Sequence, residues 1–331
     1  MYGQSRGLRR RSQLLCLPAA RVTALILPLL WIVGDVSASR ADEAASRQWY
    51  TGSLMSPSGA LPVGGILVME PYVAFQCAND RFDAVGRNRS LAASSCTIGN
   101  FTAVKYGVTR SLSLQAIPTV ARKKDAQKWG ALGFGDLPVD IMWRVLDEDP
   151  HRRYPTLSVL GGINLPTGRY QKLRSAADAM GSGGCQLRMG LAAQSLQTMP
   201  NNRPLRLRGW LSLRVPLGRV SVQGLNAYGL PVSITSAVRM GTSGQGGLAG
   251  EYGVDRHWVL AFDLARDWSN GSKIYRSGHS TTPSSGDWQI APAVEYNWSA
   301  KFGIIVGALI PAAGHNEARE FSGQASVNIV F

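Results

Sequence analysis

The chain reads as all-β, an antiparallel up-and-down barrel of about twelve strands that crosses a membrane. Three features predict it: long stretches in which apolar and polar residues alternate, connections that are by turns short and long, and few charges among many glycines. Side chains of a strand point alternately to its two faces, so alternation makes one face apolar and the other polar. Strands of this kind closed into a cylinder set lipid against the apolar face and enclose the polar one.

Charged residues make up 17% of the 331, below the roughly 25% of an ordinary soluble domain. Residues 1–41 stand apart from the rest. A basic opening, "GLRRR", leads to an apolar run from Val22 to Val33 and then to small residues. That is the layout of a secretory signal peptide, with "VSA" (36–38) or "SRA" (39–41) before the cut. The run is too short for the ~20 residues of a spanning helix, which argues against an anchor. Three parts follow: a signal peptide over 1–41, a periplasmic segment over 42–66 and a barrel over 67–331. Cleavage removes six arginines and one aspartate from a formal net charge of +14, leaving +9. Anionic lipopolysaccharide and anionic solutes suit that charge. The basic residues are scattered singly and no nucleic-acid module is visible, so nucleic-acid binding is not expected.

The strands are expected at 68–77, 97–107, 111–121, 132–146, 156–166, 184–197, 205–216, 243–253, 257–268, 286–298, 300–310 and 321–331. In 205–215, Leu205, Leu207, Leu211, Leu213 and Val215 oppose Arg206, Arg208, Ser212 and Arg214. In 257–268, Trp258, Leu260, Phe262 and Leu264 oppose Asp263 and Asp267. Such strands run roughly ten residues, the length of a tilted membrane crossing. Pro71, Pro118, Pro138 and Pro292 cannot donate to a ladder and are expected at bulges or unpaired positions. Short turns at 108–110, 254–256 and Ser299 alternate with long connections at 78–96, 122–131, 167–183, 217–242, 269–285 and 311–320. This is the asymmetry of an outer-membrane barrel, whose short turns face the periplasm. Tyr106, Tyr252, Trp258, Tyr296 and Trp298 fall beside short turns, and Trp268 and Trp288 beside a long loop, as two interfacial girdles would. The final "FSGQASVNIVF" closes the barrel and leaves Phe331 at the periplasmic rim, where the insertion machinery would meet it.

Cys16 leaves with the signal peptide. Cys77 and Cys96 bracket a polar stretch and could pair in an oxidising compartment; three unpaired thiols, Cys185 included, are the alternative.

Several stretches, in matching order, resemble a family of bacterial outer-membrane proteins named for a role in the meta-pathway of phenol degradation and labelled transporters. They are "LPVGGILVMEPY" (61–72), "KYGVTRSLSLQAIP" (105–118), "GFGDLPVDIMWRVL" (133–146), "LSVLGGINLPTGRY" (157–170), "GEYGVDRHWVLAFDL" (250–264) and the closing strand. The resemblance implies a barrel in the outer membrane of a Gram-negative bacterium that passes small hydrophobic or aromatic solutes. One departure is Ile329, where such proteins often carry a second terminal aromatic.

The chain offers little for catalysis. His151, His257, His279 and His315 frame no metal motif, and no cofactor is expected. His279 and Ser280 adjoin in a glycine- and serine-rich loop, too little for a barrel lipase. The chain is expected not to be an enzyme. Alternation points Glu70, Lys105, Asp140, Arg144, Arg188, Arg206, Arg208, Arg214, Glu251, Asp263 and Glu295 into the lumen. They form either an electropositive wall facing acids on strands eight to ten, which would orient a crossing solute, or a salt-bridged filling. Trp210, Met142 and Ile117 would offer an apolar path. Passive solute passage and a blocked structural or adhesive barrel, acting through its outer loops, are the two functions these readings allow.

Overall fold

The computed structural model describes residues 48–331, apart from 126–127, 150–153, 233–234 and 276–278. The expected signal peptide and its cleavage sites lie outside the described residues.

A strand in hydrocarbon must satisfy every backbone group internally, and a closed ladder does so. Twelve antiparallel strands form that ladder. They are β1 (Leu67–Phe82), β2 (Asn88–Gly107), β3 (Leu112–Ala116 continued by Thr119–Asp125), β4 (Gly133–Phe134 continued by Leu137–Leu146), β5 (Thr156–Leu165), β6 (Gln186–Thr198), β7 (Pro204–Pro216), β8 (Ser243–Gly253), β9 (Trp258–Ser269), β10 (Ser285–Ser299), β11 (Phe302–His315) and β12 (Ala318–Val330). Each pairs with its neighbours in sequence, and β1 pairs with β12 from Val68↔Val330 to Arg81↔Ala318, which closes the cylinder.

The prolines mark interruptions in this ladder. Pro71 and Pro292 sit where pairing to β12 and β11 skips, between Met69↔Ile329 and Tyr72↔Ser326 and between Ile290↔Ile310 and Ala293↔Gly307. Pro118 separates the two pieces of β3, and the carbonyl of Pro138 beside it accepts from Ile117 N.

Outward positions are apolar, with Leu248, Leu260, Phe262, Val294 and Val306 all exposed, while inward Asp140, Glu251, Asp263 and Glu295 are fully buried. On β12, Ser322, Ser326 and Asn328 are buried inside and Phe321 is exposed outside. An aromatic chain runs along the short-turn rim: Trp258 to Tyr296 at 4.8 Å, Tyr296 to Trp298 at 4.9 Å and Trp298 to Phe302 at 5.0 Å.

Three connections differ from expectation. The loops predicted at 78–96, 122–131 and 311–320 are largely strand, with β1 and β2 continuing to a turn at 83–87 and β11 and β12 to one at 316–317. Beyond the hydrocarbon both faces of a ribbon meet water, so alternation fades although the ladder persists. Cys77 and Cys96 face each other across the first ribbon and form a disulfide. The connections at 217–242 and 269–285 build a second sheet from Val220–Val222, Ser236–Arg239, Lys273–Tyr275 and His279–Thr281, with Val220, Val222, Val238 and Met240 as its core.

The segment ahead of β1 turns into the barrel between Tyr50 and Pro62. Wall glycines make room for it. A Cβ on Gly107 would overlap the Val63 carbonyl, and one on Gly303 the Thr51 hydroxyl.

Gly107→Val is therefore expected to displace the segment while the barrel forms. Heat-modifiable gel migration should stay wild-type, and limited proteolysis should newly cut within 48–63. Replacing Cys77 and Cys96 together by serine should lower urea stability by up to about 3 kcal/mol, the loop-closure value for a span of this length.

Candidate functional site

Inward residues on β7 are Arg206, Arg208, Trp210, Ser212 and Arg214, a run with three guanidinium groups on one face. Burying them requires carboxylates at matching depth, because an unpaired buried charge is costly. Register supplies these. Arg206 lies opposite Glu251 of β8 and donates to it through Nε and, at 2.7 Å, through Nη2. Arg208 Nε lies 3.1 Å from the same carboxylate. Arg188 of β6 reaches Asp140 of β4 at 2.7 and 3.2 Å across Gly162 of β5, which pairs with both residues. Gln115 Nε2 donates to Asp140 as well, at 3.0 Å. Lys105 of β2 pairs with Glu70 of β1 at 2.8 Å.

Asp263 and Glu295 do something else: they hold the inserted segment. Glu295 Oε2 accepts from Thr51 N at 2.6 Å and Gly52 N at 3.3 Å, and Asp263 Oδ2 accepts from Leu54 N at 3.2 Å. Arg208 Nη1 donates to the Ser56 carbonyl at 3.2 Å, Ser158 Oγ to that of Gly59 at 2.6 Å and Ser113 Oγ to that of Pro62 at 3.1 Å. Leu54 and Met55 pack on a wall of small residues, Ala249, Ala261, Ala265, Ala291 and Ala293, with Ile305 beside it. Tyr50 lies under the Arg206 guanidinium, 3.9 Å from its ring centre, and burial raises its phenol so that it stays neutral.

Between this segment and the opposite wall a cavity of about 400 Å³ remains. Lys105, Arg188, Arg206, Arg208 and Arg214 line it, together with Glu70, Tyr72, Phe101, Ile117, Leu160 and Trp210. Tyr72 and Phe101 stack with ring centres 4.5 Å apart. A second chamber of about 280 Å³, towards the long loops, is lined by Asp267, Asp287, Glu317, Glu320 and again Arg214.

Of the residues expected in the lumen, Lys105, Arg188, Arg206, Arg208 and Arg214 border the cavity, whereas Asp140, Glu251, Asp263 and Glu295 are spent on partners behind it. Of the acids on strands eight to ten, Asp267 and Asp287 line the second chamber. Arg144 does not join the group. It sits at the short-turn rim, 2.8 Å from Asp147 and bonded to the Arg110 carbonyl. Trp210 and Ile117 border the cavity, but Met142 is buried outside it. His151, and the side chain of His279, lie outside the described residues. Sequence reading left open whether the segment 42–66 enters the lumen. The run of inward alanines on β8 to β10 carries the signal, since side chains that small leave a void to be filled.

No family model matches the chain, and no curated protein matches it. Among solved structures it is similar to an outer-membrane channel from Pseudomonas putida F1, with 19% identity, a TM-score of 0.62, and 82% of this chain and 97% of that one covered. Weaker likenesses are to the transport unit of the autotransporter AIDA-I from Escherichia coli (10% identity, TM-score 0.45, 88% and 97% covered) and the toluene transporter TbuX of Ralstonia pickettii (12%, 0.40, 87% and 96%). These two are too distant to bear on this chain.

Glu251→Gln would leave two guanidinium groups buried without their shared carboxylate. Urea unfolding should show a loss of about 3–5 kcal/mol, the usual consequence of breaking a buried pair from one side. The shared architecture with the Pseudomonas channel identifies the fold as that of an outer-membrane β-barrel.

Proposed function

We propose that the chain, exported and relieved of residues 1–41, is a channel in the outer membrane of a Gram-negative bacterium that lets small hydrophobic or aromatic solutes pass passively. One observation carries this reading: beside the inserted segment the lumen keeps a cavity of about 400 Å³ that mixes cations with aromatic and aliphatic side chains. A lumen filled solely for stability would have no reason to retain it. We place the chain in the phenol meta-pathway family on the order of its sequence motifs, and aromatic catabolic genes beside its own would support that. Lipopolysaccharide around the wall, and insertion machinery reading Phe331, belong to the same proposal. No catalytic step and no nucleic-acid partner are part of it.

A structural or adhesive barrel is the second reading. It is favoured by the segment from Tyr50 to Pro62 in the lumen and by the sheet built from the outer loops.

Planar bilayers separate the two. The intact chain is expected to give small discrete conductance steps, and deletion of 48–61 to enlarge them several-fold while gel migration reports a folded barrel. Silence from both proteins would end the channel reading and leave the adhesive one.

A further inference from the structure

The five cations of the cavity are not matched by carboxylates. Lys105 is neutralised by Glu70 and Arg188 by Asp140, but Arg206 and Arg208 share the single carboxylate of Glu251. Among the described residues no carboxylate lies within ion-pair distance of Arg214, which remains exposed to the enclosed space and borders both chambers. The second chamber holds four acids, three of which accept from glutamine amides, Glu320 from Gln76 Nε2 at 3.2 Å among them. Asp267 accepts from Gln245 Nε2 at 3.1 and 3.2 Å, and Asp287 from Gln289 Nε2 at 2.9 Å. Around the inner cavity the five cations outnumber the three carboxylates within ion-pair distance of them, in a region where weak screening makes charge count.

The surplus adjoins apolar surface. Along the inner face of β7, Arg214 is followed by Ser212 and then Trp210, whose indole donates to Gln245. Leu160 borders the same space. A guanidinium with open donors offers a carboxylate a two-pronged, charge-assisted contact, and the surface below it accepts a compact apolar body.

Resting on the channel reading and sharpening it, we infer that the inner cavity binds small monocarboxylates with a compact apolar body, and that Arg214 holds the carboxylate. The acids of the outer chamber slow the approach of any anion from that side, so Arg214 sets affinity more than association rate.

Titration calorimetry on the intact barrel in detergent tests this with three probes. Benzoate has both parts, benzyl alcohol only the apolar body and acetate only the charge. Benzoate is expected to bind at least tenfold more tightly than either. Arg214→Gln, at a position with no ion-pair partner to orphan, should weaken benzoate at least tenfold and leave benzyl alcohol unchanged, and Arg214→Lys should restore part of the loss. Equal binding of benzoate and benzyl alcohol, or a benzoate affinity indifferent to Arg214→Gln, overturns the inference. Bilayer recordings on the same preparation keep the two readings apart. Benzoate binding with silence from both the intact chain and the 48–61 deletion upholds the site and ends the channel, while conductance without benzoate preference does the reverse.

Discussion

The pairing of β1 with β12 is the constraint on which the rest of the molecule depends. With that seam formed, every backbone donor and acceptor in the hydrocarbon has a partner, and the apolar faces of Leu248, Phe262 and Val306 can meet lipid. Closure also creates an inside. Charges that alternation sends inward can no longer reach bulk water and must find one another. Glu251 between Arg206 and Arg208, and Asp140 beneath Arg188, are consequences of closing the ring. An open sheet would let those residues remain solvated and would need none of the pairing.

The interior is asymmetric, and the asymmetry is a matter of side-chain size. On β8 to β10 the inward positions combine acids with alanines, so the wall is low and acidic. The inserted segment fills it, with Leu54 and Met55 on the alanines and its backbone amides on Asp263 and Glu295. Across the lumen the inward residues are long and basic, and they stop short of filling the space. The cavity is what remains between the inserted segment, seated on the short acidic wall, and the tall basic wall, which touches that segment at Arg206 and Arg208. Its position beside the arginines follows from that division of labour.

Much of this was legible along the chain. The twelve strands lie where alternation places them, because lipid outside and polar groups inside impose a period of two on each crossing. The inward orientation of Arg206, Arg208 and Arg214 follows from the same parity. Where the membrane ends the code ends too. Asp80, Arg81, Asn88 and Arg89 belong to a paired ribbon, yet they read as loop because water lies on both sides of them. The four-stranded outer sheet escaped notice for a related reason: its strands have three or four residues, too few to display a period.

Local order, then, came from the sequence by itself: fold class, strand count and the inward parity of strands such as β7. Tertiary structure alone decided who pairs with whom. Glu251 serves two arginines because the register of β7 against β8 sets it opposite Arg206, and Arg188 reaches Asp140 only because Gly162 on the strand between them has no side chain in the way. The placement of 48–62 was likewise beyond sequence reading. Its backbone amides find partners some two hundred residues away, and contacts of that separation depend on the shape of the closed lumen, not on any local pattern.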